Sequence, residues 1–148
     1  MKTWMPWTGR AVALAILPTI TSLTLLAQPA IPDQYKTGGF AIGCQAYTFN
    51  RFTVFEAIEK TAQTGSKVIE FYPGQKLSAE APDVQWDHNA SDDVIAKVKA
   101  KLAQHNIMAV NYGVVDIPND EAAARKIFEF AKKMGIRGIT TESTGSID

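Results

Sequence analysis

Two glutamates are candidate site residues, because one interrupts an apolar stretch and the other follows one. Glu70 lies inside VIEFY, and Glu142 follows the stretch IRGITT. A buried carboxylate without a partner is costly, so Glu70 is expected to meet a partner, water or a ligand. Two interpretations of Glu70 stay open, namely hydrogen bonds to a ligand and a salt bridge within the protein. Glu142 is either a site residue of the same kind or an exposed residue near the end of the sequence.

Two tyrosines and a histidine are further candidates for ligand binding. Tyr47 and Tyr112 belong to apolar stretches, where an aromatic ring either covers a ligand or fills the core. His88 lies in the polar sequence WDHN, where it either contacts a ligand or is solvated. Cys44 is interpreted as a small core residue rather than as a nucleophile.

The elements that would position these residues alternate along the chain. Predicted strands cover residues 40–48, 67–72, 107–115 and 136–141. Between them, three predicted helices begin at the capping residues Thr53, Ser91 and Asn119 and end at Gly65, Asn106 and Gly135. On the second helix, Lys97, Lys99 and Lys101 are predicted to face water.

The order β-α-β-α-β-α-β is typical of right-handed βαβ units and a parallel sheet. Residues 73–90, between the second strand and the second helix, are predicted to form a long polar loop. Both an open doubly wound sheet and a (β/α)₈ barrel use this order. The turn after the first strand, YTFNRF, contains no glycine, which argues against a dinucleotide-binding sheet.

Composition excludes several classes of protein. Hydrophobic residues make up 46% and charged residues 20% of the 148 residues, which is the balance of a globular protein and not of a disordered or collagen-like one. Lys plus Arg and Asp plus Glu both number 15, so no overall basic charge indicates nucleic-acid binding. The single cysteine excludes an internal disulfide framework.

The N-terminal region has the pattern of an export signal. Lys2 and Arg10 precede the apolar stretch 11–27, which contains no charged residue. We predict a signal peptide over residues 1–27 with cleavage near 27–30, a linker over 28–39 and one domain over 40–148. The mature protein is then secreted or periplasmic, with no stable membrane span. The alternative is an uncleaved N-terminal anchor.

Several segments together resemble the sugar phosphate isomerase/epimerase family, whose members have a xylose isomerase-like TIM barrel. The resembling segments are IGCQAYTF, FEAIEKTAQTGSKVIEFYPGQKL, IMAVNYGVV and FAKKMGIRGITTE, which span roughly residues 40–145. A complete barrel has eight βα units in ~250 residues. The fold class implied is therefore α/β, a partial (β/α)₈ barrel with about four parallel strands and three helices.

The resemblance also implies a chemistry. The complete fold would bind a divalent metal, Mn²⁺ or Mg²⁺, and move a proton next to the carbonyl of a sugar-like substrate. The family's metal ligands come mostly from later strands, so no metal ligand is assigned here and the chain alone is expected to be inactive. The residues expected to contact the substrate, where strands end and βα loops begin, are Tyr47, Glu70, His88, Tyr112 and Glu142.

Two other functions stay open. One is a non-catalytic carbohydrate-binding module whose half-barrel self-associates through its open sheet edges, giving a homo-oligomer. The other is a small flavodoxin-like binding domain, which would need a fifth strand. Neither involves nucleic acid as a partner.

Overall fold

The computed structural model describes residues 30–142, so the predicted signal peptide lies outside the described residues. These residues form an α/β fold with a four-stranded parallel sheet, a two-stranded hairpin and three α-helices. The strands are β1 (Gly43–Gln45), β2 (Val68–Phe71), β3 (Gln75–Ser78), β4 (Ala81–Trp86), β5 (Met108–Tyr112) and β6 (Gly138–Ile139). The prediction of four parallel strands and three helices is confirmed.

The three helices are α1 (Val54–Gln63), α2 (Asp92–Gln104) and α3 (Glu121–Met134). The capping box at Thr53 and the N-cap at Ser91 are as predicted. The cap predicted at Asn119 is wrong by one residue, because the side chain of Asp120 accepts the hydrogen bond from the Ala123 amide at 2.8 Å. Within residues 30–142, no helix has both the length and the apolar character that crossing a membrane requires.

The parallel sheet has the strand order β1-β2-β5-β6, so its strands lie side by side in the order in which the chain makes them. Cys44 pairs with Ile69, and Glu70 pairs with both Gln45 and Asn111. The β2–β5 register is irregular at Val110, which has no partner on β2. Glu70 therefore pairs with Asn111 rather than with Val110. Doubly wound sheets reverse their strand order, and these four strands do not.

The three helices form a single layer. Lys101 of α2 bonds the Glu59 carboxylate of α1, and Lys133 of α3 bonds Asp92 of α2 at 2.7 Å. The prediction that Lys101 faces water is therefore wrong, since its side chain is only 17% exposed. Consecutive right-handed crossovers with no reversal place every helix on the same face of the sheet.

The helix-covered face of the sheet carries the core. Ile69, Phe71 and Tyr112 are fully buried there, since alternate residues of a strand point to one face. The Tyr112 ring packs on Phe130 of α3 at a centroid distance of 4.9 Å. This layer is the hydrophobic core of the described chain.

The predicted loop 73–90 is instead a β-hairpin, with β3 antiparallel to β4. Trp86 at its end is fully buried and packs edge-to-face against Phe71 and Phe130. The buried Gln75 side chain donates to the Phe49 and Phe52 carbonyls. The segment is mostly polar and lacks the Asn-Gly or Asp-Gly signal of a tight hairpin, so tertiary packing rather than local pattern stabilises it.

The first strand is shorter than the predicted range 40–48. After β1 the chain forms a 3₁₀ turn over Ala46–Phe49. The Gln45 side chain starts this turn by accepting a hydrogen bond from the Tyr47 amide. As a result, Tyr47 lies in the turn at the carboxyl end of β1 and not within the strand.

Candidate functional site

The face of the sheet opposite the helices carries a cluster of polar side chains, here called the open-face cluster. It consists of Gln45 on β1, Glu70 on β2, Asn111 on β5 and Thr140 directly after β6. The pairing of Gln45 with Glu70 and of Glu70 with Asn111 places neighbouring strands' side chains on the same face. Three strands and the residue directly after the fourth therefore each contribute one polar group.

Glu70 is the centre of the cluster. Its Oε1 accepts hydrogen bonds from Asn111 Nδ2 at 2.9 Å and from the Thr140 hydroxyl at 3.2 Å. Asn111 Nδ2 also donates to Thr140 Oγ1 at 2.7 Å. Among the described residues no hydrogen bond reaches Glu70 Oε2, and none reaches Asn111 Oδ1. The cluster thus holds one carboxylate oxygen in place and leaves a second acceptor free.

Gly138 makes room for this arrangement. A Cβ atom at position 138 would lie 2.4 Å from Asn111 Oδ1, closer than any real Cβ contact. Any larger residue would displace the Asn111 side chain. The glycine therefore allows β6 to lie beside the amide that bonds Glu70.

A cleft of about 650 Å³ adjoins the cluster at the carboxyl ends of β1 and β2. Two tyrosines line it, Tyr47 and Tyr72, with ring centroids 5.1 Å apart and planes at 75°. Tyr47 is 60% exposed, whereas partial burial raises the pKa of Tyr72. Gln45, a member of the cluster, also lines this cleft, and its Nε2 donates to the Gly113 carbonyl at 3.1 Å.

Tyr112 and His88 lie on the other, helix-covered face. The Tyr112 hydroxyl and His88 Nδ1 are 3.2 Å apart. Tyr112 is fully buried, and burial, with the negative charge of Asp87 as a second cause, raises the pKa of its hydroxyl. Tyr112 and His88, both predicted to contact the substrate, thus contact each other, and the sheet separates them from Glu70.

Glu142 is the last described residue and is exposed. None of the hydrogen bonds within residues 30–142 joins it to the open-face cluster. Across the same residues, no three His, Cys, Asp or Glu side chains are grouped as metal ligands. The described residues therefore do not by themselves fit the divalent metal that the resemblance implies.

Sequence reasoning named Glu70 and Tyr47 as candidates but not most of the residues around them. Asn111 and Tyr72 were recognisable only as residues at strand ends, and Gln45 and Thr140 carried no signal of their own. Alternation along the strands identifies them, because once the register is known each of these side chains lies on the same face of the sheet as Glu70. That register is a tertiary property.

Comparison with known proteins shows similarity to a solved structure. No protein-family model matches the chain, and no curated protein does. An uncharacterised protein from Parabacteroides distasonis ATCC 8503, solved by crystallography at 2.32 Å resolution, matches with a TM-score of 0.62 and 30% sequence identity. The match covers 69% of this chain and 42% of the other, so this chain corresponds to less than half of that protein's length.

Proposed function

We propose that residues 30–142 are one half of a (β/α)₈ barrel of the sugar isomerase/epimerase type, and that this half binds the hydroxyl groups of a neutral, sugar-like substrate. The observation that carries the proposal is Glu70, held by two hydrogen bonds on one oxygen and free on the other. Proton transfer on the substrate would need groups from the remaining half of the barrel.

The acceptors on the open face support a ligand that donates hydrogen bonds. Glu70 Oε2 and Asn111 Oδ1 accept but cannot donate, whereas sugar hydroxyls donate readily. The negative charge of Glu70 disfavours a phosphate or carboxylate at the same place. The exposed ring of Tyr47, on the rim beside the cluster, offers an apolar surface to the carbon face of a sugar ring.

The strand order supports the half-barrel. Four parallel strands in chain order, with helices on one face, make the repeating pattern of a barrel wall. In such a barrel the opposite face is the interior, and ligand-binding groups collect at the carboxyl ends of the strands. The open-face cluster and the tyrosine cleft both lie at those ends.

A binding titration of the 148-residue chain tests the proposal. We expect D-xylose or D-fructose to shift backbone amide NMR signals near Glu70 in a saturable way. Glu70→Gln keeps the size and one carbonyl oxygen but replaces the free acceptor with a donor. It should weaken binding by roughly tenfold or more, about 1.4 kcal/mol.

Asp83→Asn is the matched control, because Asp83 is an exposed carboxylate on β4 outside the cluster. It should leave the titration unchanged. Equal binding by wild type and Glu70→Gln, or equal losses in both variants, would contradict the assignment of Glu70.

Activity gives an independent test. With Mn²⁺ or Mg²⁺ added, we expect the 148-residue chain to show no saturable aldose–ketose interconversion, because the described residues group no three metal-ligating side chains. Turnover that saturates with sugar and disappears in Glu70→Gln would contradict this expectation.

The second candidate function is a non-catalytic carbohydrate-binding module. The Tyr47–Tyr72 cleft favours it, because an exposed aromatic beside a polar rim needs no metal to hold a sugar. The two functions differ in what Tyr47→Ala does. If the cleft alone binds, Tyr47→Ala abolishes binding and Glu70→Gln has little effect.

Export is a separate part of the proposal. If residues 1–27 are a signal peptide, the chain expressed in a bacterium appears in the periplasm and begins near residues 27–30. Intact-mass measurement of the periplasmic fraction tests this, and a full-length chain in the membrane fraction would instead favour an uncleaved anchor.

A further inference from the structure

The two edges of the parallel sheet are both unpaired in the described chain. The strand order ends with β1 on one side and β6 on the other. Parallel sheets are normally covered on both faces, and an open edge offers unpaired backbone donors and acceptors to another strand. Within residues 30–142, one face and both edges of this sheet therefore lack the cover that parallel sheets usually have.

A groove of about 490 Å³ runs along the β6 edge on the helix side of the sheet. Its apolar residues include Phe128 of α3, which is 52% exposed, and Ile136 and Ile139. Lys132 and Arg137 also line it. The buried Nε of Arg137 makes no hydrogen bond within residues 30–142, and no acidic residue lines the groove. The groove would suit an apolar segment that brings a carboxylate.

The segment beside the opposite edge has those properties. Ile42, one residue before β1, is 50% exposed, and Phe40 is also exposed. Along an extended chain Ile42 shares the face of Cys44. Cys44 contacts Ser66 in the connection between α1 and β2 and pairs with the buried Ile69, so it faces the helix layer. Asp33, in the same segment, is highly exposed although it bonds Lys36.

We infer that two copies of this chain pair edge to edge, with β1 of each lying parallel to β6 of the other. Ile42 of one copy then packs in the Phe128 groove of its partner, with Asp33 near the groove's two cations. A two-fold axis parallel to the strands relates the two copies. The β1–β6 contact therefore forms twice, once at each edge, and the two sheets close into one. Eight parallel strands then enclose the two open-face clusters, and neither site is complete without the other copy. The inference rests on the half-barrel of the proposed function but not on its sugar binding.

Sedimentation equilibrium of the 148-residue chain, combined with variants, tests the pairing. We expect twice the single-chain mass for the wild type. Phe128→Glu and Ile42→Glu should each weaken association at least tenfold, since both place a charge in the contact and both residues are exposed in the single chain.

Val84→Glu is the matched control, because Val84 is a 37% exposed apolar residue on the β3–β4 hairpin, which belongs to a separate sheet and contributes neither edge strand. It should leave the dimer intact, and far-ultraviolet circular dichroism checks that all variants are folded. A wild-type monomer would overturn the inference and would favour βα units on a longer polypeptide as the cover. A dimer that survives both edge variants would also overturn it.

The outcome is separable from that of the sugar titration. Glu70→Gln lies in neither edge contact and should sediment as the wild type does. A monomer that binds sugar through Glu70 removes only the pairing, whereas a dimer whose sugar binding ignores Glu70 removes only the proposed ligand site.

Discussion

The same four strands present two faces of very different chemistry. The helix-covered face is apolar and buried. Trp86 makes edge-to-face contacts with Phe71 and Phe130, and Tyr112 packs against Phe130. The open face carries a hydrogen-bonded carboxylate, an amide and a hydroxyl. Alternation along each strand produces both faces from one stretch of sequence.

The difference separates stability from function. Substitution of a side chain on the covered face should lower the free energy of unfolding strongly, because these side chains fill a close-packed layer. Side chains on the open face have free acceptors and solvent beside them, so their loss should affect a ligand more than the fold. Glu70 and Phe71 are adjacent in sequence, yet we expect their substitutions to have opposite consequences.

The largest effect on stability is expected from Phe71→Ala. Removing this fully buried ring deletes its contact with Trp86 and leaves a cavity, which should lower the free energy of unfolding by about 3–5 kcal/mol. Urea unfolding followed by tryptophan fluorescence measures it. A loss under about 1 kcal/mol would mean that the covered face is not the core.

Tyr112→Phe should cost about 1 kcal/mol at neutral pH, because His88 loses its hydrogen-bond partner. A second effect on stability appears at alkaline pH. The pKa of Tyr112 lies above its ordinary value of 10.0, so the stability due to the neutral phenol is complete below pH 10 and is lost as the pH rises further. Tyr112→Phe should lack this part of the alkaline loss.

Urea unfolding of the two proteins at neutral and alkaline pH checks both parts. Sugar binding should be unchanged in Tyr112→Phe, since the residue lies on the covered face. A variant that keeps its stability but loses sugar binding would return Tyr112 to the candidate site, as the sequence predicted.

Gly138→Ala should lower stability by less than about 1 kcal/mol, because the atom that its Cβ meets is the end of a side chain that can rotate away. Rotation of Asn111 breaks its bond to Glu70, so sugar affinity should fall to the level of Asn111→Ala. Titration of both variants by NMR measures this. Full affinity in Gly138→Ala would show that the position of Asn111 does not matter for binding.

The smallest effect on stability is expected from Thr140→Val, which replaces an exposed hydroxyl by a methyl group of similar shape. The free energy of unfolding should change by only about 0.5 kcal/mol. Glu70 loses one of its two donors, so sugar affinity should fall severalfold. A change in stability as large as that of Tyr112→Phe would erase the proposed contrast between the faces.

Local sequence patterns predicted the parts of the fold that are local. The hydroxyl of Thr53 three residues before Glu56 predicted a capping box, and the spacing of Ile95, Val98 and Leu102 predicted the buried stripe of α2. The hairpin at Gln75–Trp86 escaped prediction, because its strands are polar and the burial of Trp86 depends on Phe130, which lies far along the chain. Packing overrode propensity there.

The candidate site divides in the same way. A carboxylate inside VIEFY marked Glu70 by its burial cost alone, which is a property of one residue and its neighbours in sequence. Which groups surround it depends on the register of β2 against β5 and on Thr140, 70 residues away. Tyr112 was predicted to contact the substrate as Glu70 was, yet its position in the strand places it on the other face.

Local sequence patterns were enough to predict the alternation of parallel strands and helices along the chain, the N-caps of α1 and α2, and a carboxylate that needs a partner. These follow from periodicity, capping and desolvation, which act over a few residues. The positions of Gln45, Asn111 and Thr140 beside Glu70, and of Tyr112 and His88 on the other face, became known only from the three-dimensional arrangement of residues 30–142. Those outcomes depend on register and strand order, which long-range packing sets.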